Sequence, residues 1–170
     1  MPDLQMCLDK TAELHHHLCP RQVLGVRTGM YAAELFNLPL PQTDKRLFAF
    51  VETDGCFADG LSVATGCWLG RRTLRLVDYG KVAATFVDTA TGKALRISPQ
   101  LSARKMALEY APDEPDSWHA QLAAYQVMPT PELLRAEEVR LTLSLEEIIS
   151  QPGLRVNCEQ CGEEIMNARE

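Results

Sequence analysis

The chain predicts an α+β protein: an antiparallel sheet meander packed with several helices, followed by a short C-terminal extension shaped like a zinc knuckle. Three features carry this. Apolar positions recur at spacings of three and four through the first 36 residues, as on the faces of amphipathic helices. Residues 73–98, "TLRLVDYGKVAATFVDTATGKALRIS", hold three β-prone runs separated only by "YG" and "TATG", turns too short for parallel crossovers. After "QPG" at 151–153 the patterned chain gives way to a cysteine pair.

Taken in order, Leu4, Cys7, Leu8, Thr11, Leu14 and Leu18 share the face of a first helix. Pro20 suits the first position of a second, on which Val23, the stem of Arg27, Met30 and Ala33 continue one face and Cys19 is the N-cap. "KRLFAFVET" at 45–53 reads as a strand, and a short helix from Phe57 to Thr65 ends at Gly66. "SARKMALEYA" and "DSWHAQLAAYQVM" read as helices either side of the acidic, proline-bearing loop 112–116. "TPELLR" and "SLEEIIS" carry helix-start signals, Thr130 before Pro131 and the Ser144/Glu147 capping box, with "VRLTL" between them as an edge strand. The expected division is a core of residues 1–150 and an extension of residues 151–170.

A chain of 170 residues with 46% hydrophobic content can bury one domain-sized core. Its 17 lysines and arginines against 23 acids give a net charge of −6, so no global field gathers nucleic acid or an anionic membrane, although a local basic patch is compatible with it. No apolar run approaches the roughly 20 residues that span a bilayer. The start "MPDLQMCLDK" lacks the regions of a signal peptide, so a cytoplasmic protein is expected, in which six cysteines serve as thiols, ligands or nucleophiles.

The densest chemistry is "ELHHHLCPR", residues 13–21. The residue before a proline is pushed towards extended geometry, which lets His17 and Cys19 point together, with His15 nearby. Free N–H groups at a helix start stabilise a thiolate at Cys19, and the same argument applies to Cys56 in "TDGCFADG". Cys67 follows the same short helix. Two thiolates with one or two imidazoles suit Zn²⁺ or another borderline transition metal. Core packing competes with this reading at each cysteine, because cysteine is among the most buried residue types. A metal-free thiol chemistry of Cys19 or Cys56 is a further alternative. Asp59, three residues after Cys56, and Lys81, in "DYGK", are candidates for acid, base or electrostatic work beside a metal with an open position. Their structural alternatives are a first-turn helix carboxylate and a solvated turn lysine.

Cys158-x-x-Cys161-Gly162 is the shape of a zinc knuckle and supplies half a site. The remaining ligands would come from Cys7, His119, the histidine cluster or a second copy of the chain. The acidic "CEQCGEEIMNARE" argues against nucleic acid as its partner.

"HHHLCPRQVLGVRTG", "CFADGLSVATGCWLG", "DYGKVAATF" and "VNCEQCGEEIM", in that order, resemble the FmdE family of formylmethanofuran dehydrogenase components. The resemblance implies an α+β core whose His-x-His-x-Cys-Pro segment and two later cysteines line one metal-containing pocket. It also implies a homodimer and a zinc-binding C-terminal appendage of treble-clef type. The matching positions are His15, His17, Cys19, Cys56, Asp59, Cys67 and Lys81, with Cys158 and Cys161 in the appendage. The family pattern has glycine where this chain has His16 and Arg21, and the appendage's second cysteine pair is absent. The chain has too few cysteines in ferredoxin spacing for the iron–sulfur relay that formylmethanofuran oxidation requires. The expectation is therefore an accessory or metal-handling partner of a molybdenum or tungsten enzyme system, with a metalloenzyme acting on a small molecule as the alternative.

Overall fold

The computed structural model describes residues 3–149 and 153–166, in two units, Met1–Val139 and Arg140–Glu170. The first unit runs α1 (Leu4–His15), α2 (Pro20–Phe36), β1 (Leu47–Val51), α3 (Cys56–Thr65), β2 (Leu74–Leu76), β3 (Ala84–Asp88), β4 (Ala94–Pro99), α4 (Ala103–Tyr110), α5 (Ser117–Val127), α6 (Thr130–Leu133) and β5 (Leu134–Glu138).

Asp3 starts α1 by accepting from the Met6 N–H at 2.9 Å, and His16 ends it in the left-handed region, φ 58°. Cys19 is extended (φ −130°, ψ 160°) and caps α2, with Pro20 at the first helical position as its fixed φ favours. Buried Gln22 locks this junction. Its Oε1 accepts from the Cys19 N–H at 2.6 Å and its Nε2 donates to the Thr11 carbonyl at 3.0 Å, tying the start of α2 to α1.

The five-stranded sheet has the order β2-β1-β3-β4-β5 and is mixed, which corrects the expected antiparallel meander. β2 pairs parallel with β1, Ala49 opposite Leu74 and Val51 opposite Leu76, because α3 between them supplies the crossover that a parallel pair needs. Residues 77–83 then pass around the end of β1: Val77 N–H donates to the Val51 carbonyl, and Tyr79 and Lys81 N–H both donate to the Glu52 carbonyl. The "YG" turn thus bends a loop and not a hairpin. "TATG" does form the hairpin between β3 and β4, closed by the Gly92 N–H on the Asp88 carbonyl at 2.8 Å. The edge strand expected at 139–143 lies earlier: β5 pairs with β4 from Leu134 opposite Pro99 to Glu138 opposite Leu95. Leu134 is buried and the charged residues that follow it suit an edge.

One face of the sheet (Leu47, Ala49, Val51, Phe86, Ile97) buries against Val23 and Val26 of α2 and Phe57, Leu61 and Ala64 of α3. The two helices run parallel at backbone contact. A Cβ at Gly25 would stand 2.2 Å from the Phe57 carbonyl oxygen, one at Gly29 2.7 Å from Ala64 Cβ, and one at Gly60 2.3 Å from the Gln22 carbonyl oxygen. Only glycine permits that approach. Arg27 reaches from α2 to the end of α5, donating to the carbonyls of Tyr125, Gln126 and Met128.

The second unit contains α7 (Leu145–Ile148), started by the Ser144/Glu147 capping box, and an antiparallel pair, β6 (Arg155–Asn157) with β7 (Glu164–Met166).

Candidate functional site

Because α2 and α3 are parallel and in glycine contact, their N-termini meet, and with them Cys19 and Cys56. Cys56 is the first residue of α3, one position earlier than its sequence indicates, with Gly55 as N-cap at a positive φ of 74° and ψ of −151°, a backbone conformation that glycine alone adopts readily. Both side chains line one cleft, and the Cys19 side chain stands close enough to the Cys56 thiol to act on its titration. Burial and then Cys19 push the Cys56 thiol above its ordinary range, so the expected lowering at a helix start is overridden there.

Asp59 lies one turn along α3, and its Oδ2 accepts from His15 Nε2 at 2.6 Å. The His17 ring meets that of His15 edge-on, centroids 5.7 Å apart, and its Nδ1–H donates to the His15 carbonyl at 2.9 Å. This tautomer leaves Nε2 of His17 as the free donor atom. The His-x-His-x-Cys segment is therefore gathered at the α3 start, through the His15–Asp59 pair and the proximity of Cys19 to Cys56. Among the described residues, no three His, Cys, Asp or Glu side chains stand together in metal-holding geometry.

Cys67 is not brought to this group. It follows the far end of α3, a helix of 10 residues and so about 15 Å long. It is buried, donates to the Leu47 carbonyl at 3.4 Å, and burial pushes its thiol up to about 11. Cys7 is likewise buried in the core, and His119 is engaged by Asp116 at 3.0 Å.

Cys19 and Cys56 line a cleft of about 1090 Å³. Lys81, carried there by the loop around β1, lines it too, as do Trp118 and Tyr125 of α5 and Arg104 and Lys105 of α4. Sequence reasoning missed Trp118 and the α4 cations. They are scattered over elements that only the fold assembles, and "SARKMALEY" reads as an ordinary helix.

In the second unit, Cys158 and Cys161 occupy the turn between β6 and β7. Gly162 N–H donates to the Cys158 carbonyl at 2.8 Å, and Gly162 is left-handed at φ 78°. The N–H groups of Cys161 and Gln160, then the Cys161 thiol, pull the Cys158 thiol below its ordinary range.

A solved structure from Syntrophus aciditrophicus, described as a tungsten formylmethanofuran dehydrogenase FmdE-like protein, shares the fold. Its TM-score is 0.64 at 20% identity, over 96% of this chain and 85% of that one. A curated relative from Archaeoglobus fulgidus, described as a probable S-adenosyl-L-methionine-binding protein, is 36% identical over 97 residues. The match covers 55% of this chain and 26% of the relative, so the chain spans about a quarter of that protein's length. The family model described as FmdE, molybdenum formylmethanofuran dehydrogenase operon, matches residues 14–168, and the chain belongs to that family.

Proposed function

We propose that this chain is a metal-handling accessory protein of a molybdenum or tungsten enzyme system, with its core chemistry at the Cys19–Cys56 pair. The observation that carries the reading is the convergence of these two cysteines, at the joined N-termini of α2 and α3, on one open cleft that both line. Two sulfur donors suit zinc or another borderline ion, and a bound cation would supply the opposite charge that holds both as thiolates against the burial raising Cys56. His17 Nε2 and His15 are the nearest further donors within the segment. A closed structural zinc site takes four protein ligands. Two thiols on a cleft support a site that shares its ion with an incoming molecule, as a transfer site must. A metal bound there would supply Lewis acidity to whatever entered the cleft.

The cleft also favours a second reading, a metalloenzyme acting on a small molecule. In that reading Lys81 fixes substrate charge and the Asp59–His15 pair holds a proton near Cys56. The Cys158–Cys161 turn is read as a second, zinc-binding half-site completed by another copy of the chain in a homodimer.

Elemental analysis of tag-free protein tests the assignment. Cys19→Ser and Cys56→Ser each lose the core ion and keep the second one, while a Cys158→Ser/Cys161→Ser double variant does the opposite. Full metal content in both single variants overturns the core site.

A further inference from the structure

The cleft lined by Cys19 and Cys56 is cationic in a chain of net charge −6. Arg21, Lys81, Arg96, Arg104, Lys105 and Arg135 line it, and among its described lining residues there is no carboxylate. Two of the six are neutralised from outside the cleft, Arg96 by Glu52 at 2.6 and 2.8 Å and Arg135 by Glu137 at 3.6 Å. Arg21, Lys81, Arg104 and Lys105 have no carboxylate within ion-pair distance among the described residues. They arrive from three separate elements: the first turn of α2, the loop around β1, and α4. Gathering unpaired like charges in one concavity raises the energy of the free protein, and a bound anion removes that cost. The converging N-termini of α2 and α3 add the same sign of potential.

The cleft is not purely polar. Trp118 is 44% exposed on its wall and Leu101 is 89% exposed, while Tyr125 lies buried beside Arg104. Large apolar side chains held in water next to unpaired cations match a ligand with a flat apolar body and a charged tail. A guanidinium takes phosphate oxygens two at a time, and this chain carries one at Arg21 at the mouth of α2.

We propose that this cleft binds a phosphate-bearing small molecule with a planar ring, its phosphates on Arg21, Arg104 and Lys105 and its ring against Trp118. A sulfonium compound such as S-adenosyl-L-methionine brings positive charge into the same field and is disfavoured. Such a ligand is the class of molecule that enters the cleft of the preceding reading, and its binding rests on that site. It depends on the cations and not on the thiols, so the two fail separately.

Isothermal titration of the full chain with ADP, adenosine and S-adenosyl-L-methionine as probes tests it, in wild type, in Arg21→Gln/Arg104→Gln/Lys105→Gln and in Cys19→Ser/Cys56→Ser. ADP binds saturably, and adenosine and S-adenosyl-L-methionine bind at least about tenfold more weakly. The triple variant loses about tenfold or more in ADP affinity at an unfolding temperature equal to or above that of wild type, since removing like charges relieves their repulsion. The cysteine variant binds ADP as wild type does even where its metal is gone. No saturable ADP binding up to about 5 mM overturns the proposal. So does equal ADP affinity in the triple variant, or adenosine binding as tight as ADP.

Discussion

His16 stands between the two histidines that matter and, among the described residues, makes no comparable contact; what distinguishes it is a φ of 58°, at the end of α1. A left-handed residue with a Cβ costs about 1–2 kcal/mol, and glycine removes most of that cost. His16→Gly therefore raises the thermal unfolding temperature by an amount worth about 1 kcal/mol, with metal content unchanged, measured by calorimetry and elemental analysis. Asp88 shows the opposite economy, a carboxylate used to the full. It accepts from Arg46 at 3.0 and 3.1 Å, from the Ala90 N–H at 3.0 Å and from the Thr91 hydroxyl at 3.0 Å. The Arg46 guanidinium, ahead of the Ala90 N–H and Thr91 hydroxyl, holds it below the usual carboxylate range. The native state thus sheds this proton more readily than the unfolded chain. Its stability contribution is complete above about pH 4 and is lost as pH falls through the depressed native value. Asp88→Asn costs about 1–3 kcal/mol at neutral pH and flattens that part of the acid limb in urea titrations.

At the scale of elements, the seam between α2 and α3 decides where the cysteines are. Gly25→Ala drives a Cβ into the Phe57 carbonyl, and overpacking of this kind costs about 1–3 kcal/mol. Because the shift separates two helix starts, it also lowers metal retention, whereas Gly70→Ala, with nothing within 4 Å, changes neither. Denaturant unfolding and metal analysis of the pair check this. Much of this layer is legible in the sequence. The extended residue before Pro20, the 3.6-residue periodicity of α1 and α2, the Ser144/Glu147 box and the "TATG" hairpin are local signals with local causes. The failures are non-local. β2 is parallel because a helix that could also have sat elsewhere bridges it to β1, and the short "YG" segment gives no sign that it wraps another strand's end. Cys67 follows the helix that Cys56 begins and so stands beyond its other end, since spacing along a chain does not reveal which terminus faces a cleft. The His15–Asp59 pair joins α1 to α3 across 44 residues. The sequence supplied both partners as candidates but could not pair them.

For the whole molecule, membership of the FmdE family sets the frame, and the shared fold with the Syntrophus aciditrophicus protein extends over nearly all of this chain. Among the described residues no helix is long and apolar enough to cross a membrane. The overall charge is acidic, yet one cleft concentrates unpaired cations around a thiol pair, a contrast that composition alone averages away. That thiol pair is the centre of the proposed chemistry, a claim open to direct spectroscopy. Cobalt(II) would be titrated into Cys158→Ser/Cys161→Ser protein, in which Cys19 and Cys56 are the sulfur donors left on the cleft while Cys7 and Cys67 stay buried in the core. A saturating thiolate-to-cobalt charge-transfer band in the near ultraviolet, abolished by adding Cys19→Ser or Cys56→Ser, is the predicted result. Cobalt binding without that band, or a band that persists in both added variants, would contradict it.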